Sequence, residues 1–428
     1  MPGDPNPSTA MPQTALAAFL AAPLLLFAFD DGPGWTGGLD EDSFSALHEL
    51  KEGDAPELLG EDVEIAGTTA YLARPEGLEP LGAVVMIHEW WGLNDHVKHW
   101  ADRLAADGYV ALAVDLYGGV VATTREDAMK AMRAVEDEAA LEVMRAAHAW
   151  LVDPEGDVAV DRTACIGWCF GGGRSLQLAM NEPELDAAIV YYGRLVTDAE
   201  ALASIEAPML GVIGTEDAGI PPASVAAFED AMDEAGKDLT VRSYEAEHAF
   251  ANPSSARYDA ESASAAWLET RTFLCEHMWP ESPGGLFSDR SRPLDGKVPF
   301  GWGEGRSSSM RVGSFSVGSC DVSVIPLRSD GGGALANYSR WSGQVGGDEL
   351  SEDDLDALPR IPVLGRMTPV LEARGPLRAM GGASIDDGAL IALLVELEGA
   401  VLSLKLSGPA SEVDEAAADF ERYCRSLR

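Results

Sequence analysis

Cysteine, histidine and aspartate can together cleave an acyl bond, and this chain offers a set whose spacing suits that chemistry. Cys169 lies in Ile166-Gly167-Trp168-Cys169-Phe170-Gly171-Gly172-Gly173. A short apolar run, Thr163 to Ile166, precedes it, and a helical pattern, Arg174 to Met180, follows. A strand that turns sharply into a helix strains the backbone at the turn, and glycines on either side let it close without a Cβ clash. The sulfur is thereby lifted to a helix N-terminus, where the dipole favours an anion. The backbone N–H of Phe170 would donate to an oxyanion. The same residues also suit a buried structural cysteine in a glycine-rich turn.

Two later residues would complete the set. A free thiol has a pKa near ~8.5, so at neutral pH it needs a base. His248, in Glu247-His248-Ala249-Phe250, would take the thiol proton and return it to the leaving group. Asp217, in Gly214-Thr215-Glu216-Asp217, would fix the ring's tautomer and stabilise its cation. Asp is also common in such turns for local reasons. The backbone N–H of Trp90, in Glu89-Trp90-Trp91-Gly92-Leu93, is the expected second oxyanion donor. Spacing alone assigns Glu89 no role, and a solvated loop carboxylate is the simple alternative.

The elements that must gather these residues are legible as apolar runs. Val63 to Leu72 reads as a hairpin turning at Ala66-Gly67. Strands are predicted at Ala83–His88, Tyr109–Val114, Thr163–Ile166, Ala187–Tyr191, Met209–Ile213 and Leu239–Tyr244. Helices are predicted at His96–Ala106, Ala223–Ala235 and Ala260–Met278, with one long amphipathic segment over Arg125–Leu151. Alternation of strand and helix predicts a doubly wound, mostly parallel α/β sheet with helices on both faces. Glu89, Cys169, Asp217 and His248 each fall just past a strand's C-terminal end, so they would converge on one sheet edge. The order nucleophile, acid, histidine is that of the α/β-hydrolase fold.

Composition sets bounds. With 428 residues the chain exceeds a single core, and a division is expected into an extension (1–60), an α/β domain (61–280), a linker (281–296) and an α+β domain (297–428). Net charge is -41, from 71 acidic and 30 basic residues, which excludes nucleic acid and anionic membranes as partners. Five scattered cysteines imply neither a disulfide framework nor a zinc site, and Cys165 reads as a core thiol. No metal and no cofactor is expected, nor a membrane partner, and the protein is expected to be a monomer or weak homo-oligomer. The apolar stretch Ala15–Phe29 is broken by Pro23, preceded by nothing basic and followed by Asp30-Asp31. A cytoplasmic location is expected, the alternative being secretion or the periplasm if residues 12–30 act as a signal peptide.

From about Asp62 to Trp279 the chain resembles the dienelactone hydrolase family. The matching pieces, in family order, are Glu89-Trp90-Trp91-Gly92-Leu93, Asp115-Leu116-Tyr117-Gly118, Gly167-Trp168-Cys169-Phe170-Gly171-Gly172, Tyr191-Tyr192-Gly193, Asp217-Ala218-Gly219-Ile220-Pro221 and His248-Ala249-Phe250. The resemblance implies an α/β-hydrolase fold and a Cys169–His248–Asp217 triad. It also implies that Glu89 holds the resting thiol and helps form the thiolate. Members that cleave dienelactone grip a substrate carboxylate with two arginines. One matches Arg125, but the other falls at Asn252, which carries no charge, and Met129 stands where those members have tyrosine. The expected substrate is therefore a small ester or lactone other than dienelactone, contacted by Arg125, Asn252 and Trp168.

Beyond residue 297 nothing looks catalytic. Strands are predicted at Arg311–Phe315, Asp321–Pro326, Gly375–Arg378 and within Ala389–Leu406, with helices at Ala334–Gly343 and Ser411–Leu427. The expected architecture is an α+β sandwich with helices on one face. Asn337, Arg340 and Trp341 are either a binding face or the packing face of the first helix. The reading as a whole is a cysteine hydrolase acting through a thioester. Its alternative is a non-catalytic binding or scaffold protein that retains a hydrolase fold.

Overall fold

The computed structural model describes residues 57–77, 80–279, 296–306, 308, 310–327, 332–378, 384–397 and 400–427. The apolar stretch Ala15–Phe29 and nearly all of the expected extension and linker lie outside them. Among the described residues the strands form two sheets.

The first sheet has eight strands: β1 (Glu61–Ile65), β2 (Thr68–Ala73), β3 (Ala83–Ile87), β4 (Val110–Val114), β5 (Thr163–Trp168), β6 (Ala187–Tyr191), β7 (Met209–Gly214) and β8 (Leu239–Tyr244). Their spatial order is β1-β2-β4-β3-β5-β6-β7-β8. The β1–β2 hairpin turns through Ala66 and Gly67, both at positive φ, and β2 joins β4 antiparallel. All later pairings are parallel. Parallel strands need both faces covered, which is why their sequences are continuous apolar runs. Val84, Met86, Ile166 and Trp168 pack on one face beneath helices α1 (Asp95–Ala106) and α7 (Ala260–Met278). Val85, Ile87 and Val190 pack on the other, beneath α3 (Asp137–Val152), α4 (Phe170–Ala179) and α6 (Pro222–Glu234). The segment expected as one long helix is two: α2 (Arg125–Ala134) ends at Val135, where the backbone turns extended before α3. Only Ala128 of α2 is buried, whereas α3 buries a full stripe, so the two face different environments. A short α5 (Ala199–Leu202) completes this half.

The second sheet is antiparallel: β9 (Gly303–Glu304), β10 (Gly313–Val317), β11 (Cys320–Leu327), β12 (Arg360–Val363), β13 (Arg366–Arg378), β14 (Ser384–Leu397) and β15 (Ala400–Pro409). The expectation of helices on one face is corrected here. Helix α10 (Ala410–Ser426) covers Ile391, Leu393 and Leu404, while α8 (Ala334–Gln344) covers Leu390, Ala392 and Leu394 from the other side. The run Leu390 to Val395 is apolar on both faces, so neither can be left to solvent. Asn337 and Trp341 are accordingly buried in that packing, and exposed Arg340 donates to Asn337 Oδ1 at 2.6 Å. This is the packing face of α8, not a binding face. A short helix between α8 and α10 in the chain, α9 (Glu352–Asp356), carries a capping box from Ser351 to Asp354.

A buried ion pair of the first half also reaches the second. Arg271 of α7 donates to both oxygens of Asp107, at 2.9 and 2.6 Å, and to Arg360 O at 2.7 Å on β12. Trp279 lies against Gly365, in the turn between β12 and β13. Removing one member of a buried pair leaves the other charge uncompensated, at a cost of about 3–5 kcal/mol. Arg271→Ala should therefore lower the urea midpoint by an amount equivalent to about 3 kcal/mol. Arg242→Ala, which breaks an exposed pair with Glu269, should change it by less than about 1 kcal/mol.

Candidate active site

Register places the expected residues on one edge. Ile87 pairs with Gly167, Trp168 with Tyr191, Tyr191 with Val212, and Gly214 with Tyr244. Glu89, Cys169, Asp217 and His248 follow directly after β3, β5, β7 and β8, so all four emerge at the same rim.

The turn after β5 is sharply constrained. Cys169 has φ 55° and ψ -113° at the N-cap of α4, a conformation that costs a non-glycine residue energy and persists only when its surroundings enforce it. The enforcement is close backbone contact. A Cβ on Gly167 would lie 2.1 Å from Gly171 O, and one on Gly171 would lie 2.2 Å from Ile87 O. The Cys169 amide donates to Tyr191 O at 3.0 Å, which ties the turn to β6. Cys169 is half-buried, while Cys165, Cys275, Cys320 and Cys424 are buried. Burial pushes the Cys165 thiol up to about 12, and it sits 3.2 Å from Ser175 Oγ, which fits its reading as a core thiol.

His248 Nε2 lies 3.1 Å from Cys169 Sγ, and Nδ1 lies 2.6 Å from Asp217 Oδ2. The other Asp217 oxygen accepts from the amides of Gly219 (2.7 Å) and Ile220 (3.2 Å), so the carboxylate is aimed by its own turn. Burial would raise the Asp217 carboxyl, but the bond to His248 and the two amides more than offset it and hold it low. Burial also disfavours the His248 cation, yet its bonds to Asp217 and Cys169 outweigh this and lift its pKa to about 10. The arrangement therefore favours an imidazolium beside the sulfur.

Glu89 is buried at the cleft floor, 3% exposed. Asn252 Nδ2 donates to its Oε2, and the Tyr192 hydroxyl approaches Oε1 at 3.5 Å. Burial pushes its carboxyl up to about 7, against the pull of Asn252, His248 and Tyr192. Its main chain is fixed as well. Leu116 N donates to His88 Nε2 at 3.1 Å, so Nδ1 carries the proton and donates to Glu89 O at 2.6 Å.

Above these groups opens a cavity of about 870 Å³, lined by Trp90, Trp91, Arg125, Cys169, Asn252 and Arg257 among others. A second hollow of about 630 Å³, along Glu136 to Glu142, is acidic and holds no nucleophile. Phe170 opens α4, where the first amides have no acceptor inside the helix, and Trp90 stands on the cleft wall. Trp168, expected among the substrate contacts, is not in the cleft. It is fully buried and stacks on Trp100 with ring centroids 4.1 Å apart. Strand side chains alternate, so Trp168 shares a face with Ile166 and points into the core. Asn252 lines the cleft, but its amide is already engaged with Glu89. Tyr192, Ser254 and Arg257 were not anticipated. Tyr192 sits at the strand-end rim like the others, and Asn252-Pro253-Ser254 has the pattern of an Asx turn.

A mostly parallel sheet with a sharp strand-to-helix turn that presents a cysteine, and with an acid and a histidine at later strand ends, has the architecture of an α/β-hydrolase. Comparison narrows this: residues 68–278 match the Dienelactone hydrolase family. A protein of Saccharolobus solfataricus provisionally named carboxymethylenebutenolidase is 33% identical over 261 residues, 50% of this chain and 95% of its own. A Bradyrhizobium protein provisionally named 2-oxo-3-(5-oxofuran-2-ylidene)propanoate lactonase is 30% identical over 49% of this chain and 89% of its own. A provisionally named dienelactone hydrolase structure from Klebsiella pneumoniae is 28% identical, covers 52% of this chain and 100% of its own, and has a TM-score of 0.48. The chain belongs to the dienelactone hydrolase family and is an ester-bond hydrolase. Among the described residues no helix is long and apolar enough to cross a membrane.

The close contacts at the turn predict a sharp contrast. Gly167→Ala should cut ester hydrolysis at least about 100-fold or prevent folding, because its Cβ meets backbone that cannot yield. Gly211→Ala, whose Cβ would meet Val241 Cγ2 at an ordinary 3.7 Å, should keep turnover within about two-fold. Hydrolysis of a chromogenic ester by the two purified variants distinguishes them.

Proposed function

We propose that the protein hydrolyses a small carboxylic ester or lactone with Cys169 as nucleophile, through a thioester. The observation that carries this is the continuous relay from Cys169 Sγ to His248 Nε2 (3.1 Å) and from Nδ1 to Asp217 Oδ2 (2.6 Å). His248 takes the thiol proton and the sulfur attacks the carbonyl carbon. The negative charge on oxygen is met by the backbone amides of Phe170 and Trp90. The C–O bond breaks, and His248 returns the proton to the departing alkoxide. In a lactone that alkoxide stays attached to the acyl group. Water, deprotonated by His248, then attacks the thioester and releases the acid and the thiol. Asp217 stabilises the imidazolium at both stages.

The lactone reading draws support from the lactonase name among the relatives. Asn252 does not substitute for a carboxylate-binding arginine, since one of its amide hydrogens is committed to Glu89 and its oxygen to Ser254. Arg125 stands on the cleft wall as a contact for a polar substituent.

Cys169→Ala should reduce kcat by at least about 10⁴-fold with an aryl ester or lactone. A substrate quenched in acid should leave an acyl mass increment on the peptide containing Cys169. His248→Asn should slow alkylation of Cys169 by iodoacetamide at pH 7 at least about ten-fold. Wild-type turnover in Cys169→Ala would exclude the sulfur.

A further inference from the structure

Asn252 is buried within the cleft, and its orientation is over-determined. Its Oδ1 accepts from the Ser254 amide at 2.8 Å and from Ser254 Oγ at 2.6 Å. An amide whose oxygen is taken twice must present its nitrogen elsewhere, and Nδ2 donates to Glu89 Oε2. Tyr192 approaches the other Glu89 oxygen. Glu89 is thus held from two sides, while the sulfur of Cys169 faces His248 instead.

We propose that Asn252, clamped by Ser254, is a positioning residue that fixes Glu89 at the cleft floor and sets when this carboxyl carries charge beside the Cys169–His248 pair. This rests on the catalytic reading above. The groups that face Glu89 besides Asn252 are the Tyr192 hydroxyl and the His248 ring, while Cys169, Arg125, Arg257 and Asp95 line the same cleft. Among these Asn252 has a distinct part. It is neutral at every pH and can only donate to the carboxylate, so it favours the ionised form without adding charge of its own. Burial opposes it, and the balance leaves the carboxyl titrating at about 7. An ionised Glu89 supports the His248 cation and opposes negative charge on the sulfur, so its titration changes how readily Cys169 reacts. Ser254 enters because a free amide could turn its oxygen toward Glu89, which would repel the carboxylate.

The test is the pH dependence of Cys169 alkylation by iodoacetamide in the full chain. Wild type should show an inflection near pH 7, and Glu89→Gln should lack it. Asn252→Leu removes the donor, raises the carboxyl's pKa and should move the inflection up by about one unit, the scale of a hydrogen bond to a charged group. Asn252→Arg adds a cation and should move it down. Ser254→Ala keeps Asn252 but loosens its grip and should move the inflection up by less, which secures the test if Asn252→Leu does not fold. A merely structural role would not give shifts of opposite sign. An inflection that stays in place in the Asn252 and Ser254 variants, or that persists in Glu89→Gln, overturns the proposal. Alkylation reports this coupling whether or not the sulfur is the nucleophile, so failure here is separable from retained turnover in Cys169→Ala.

Discussion

The first turn of α4 lies against the ends of the neighbouring strands at distances that leave no space for side chains. Gly167 abuts Gly171, Gly171 abuts the carbonyls of Ile87 and His88, and Gly172 abuts Tyr191 and Gly193. This contact holds Cys169 at positive φ and so directs its sulfur out of the sheet edge. The helix N-terminus, the relay to His248 and the floor at Glu89 all depend on it. Relaxing the turn by even an ångström would disengage the sulfur from a ring whose position is fixed independently by Asp217.

Around this point the site divides two acidic groups by environment. Asp217 is buried yet surrounded by donors, two amides and a ring nitrogen, and stays ionised. Glu89 is equally buried but has one amide donor and a distant hydroxyl, so burial governs it and its proton comes on near pH 7. One carboxylate is therefore a permanent partner for the His248 cation, and the other is a variable one. Pairs of carboxyls pushed apart in this way are how one fold runs acid and base steps at a single pH.

The second sheet touches this machinery only at a distance. Its contacts with the first include Arg271, Glu276 and Trp279, on or just after α7, which meet Arg360, Arg366 and Gly365 of the second. Helix α7 also accepts the Tyr191 hydroxyl through Ala266 O at 3.0 Å and contacts it through Thr270 Oγ1 at 2.6 Å. The two cores are thus separate in composition but share one helix as a common wall, inside one compact unit.

Much of the first sheet was readable from the chain alone, because a strand buried on both faces must be an unbroken apolar run and the polar residue that ends it marks the rim. That rule sets Glu89, Cys169, Asp217 and His248 at one rim, and the glycines around Cys169 announce the turn, whereas a role for Glu89 came only from the family resemblance. The second sheet was less legible. Only Gly375–Arg378 of strand β13 was legible as strand; its first part carries Pro369, a loop signal, yet Pro369 sits opposite Arg360 on the short β12, and a register shift between Gly375 and Leu377 absorbs Pro376. Periodicity along a strand marks which face is apolar, and alternation from Ile166 sets Trp168 on the core face. It carried no information on which distant atom satisfies a given polar group. That Asn252 serves Glu89, that Arg271 reaches Asp107, and that α8 and α10 take opposite faces were decided only when the chain closed on itself, since hydrogen bonds between remote segments follow from packing and leave no local pattern behind.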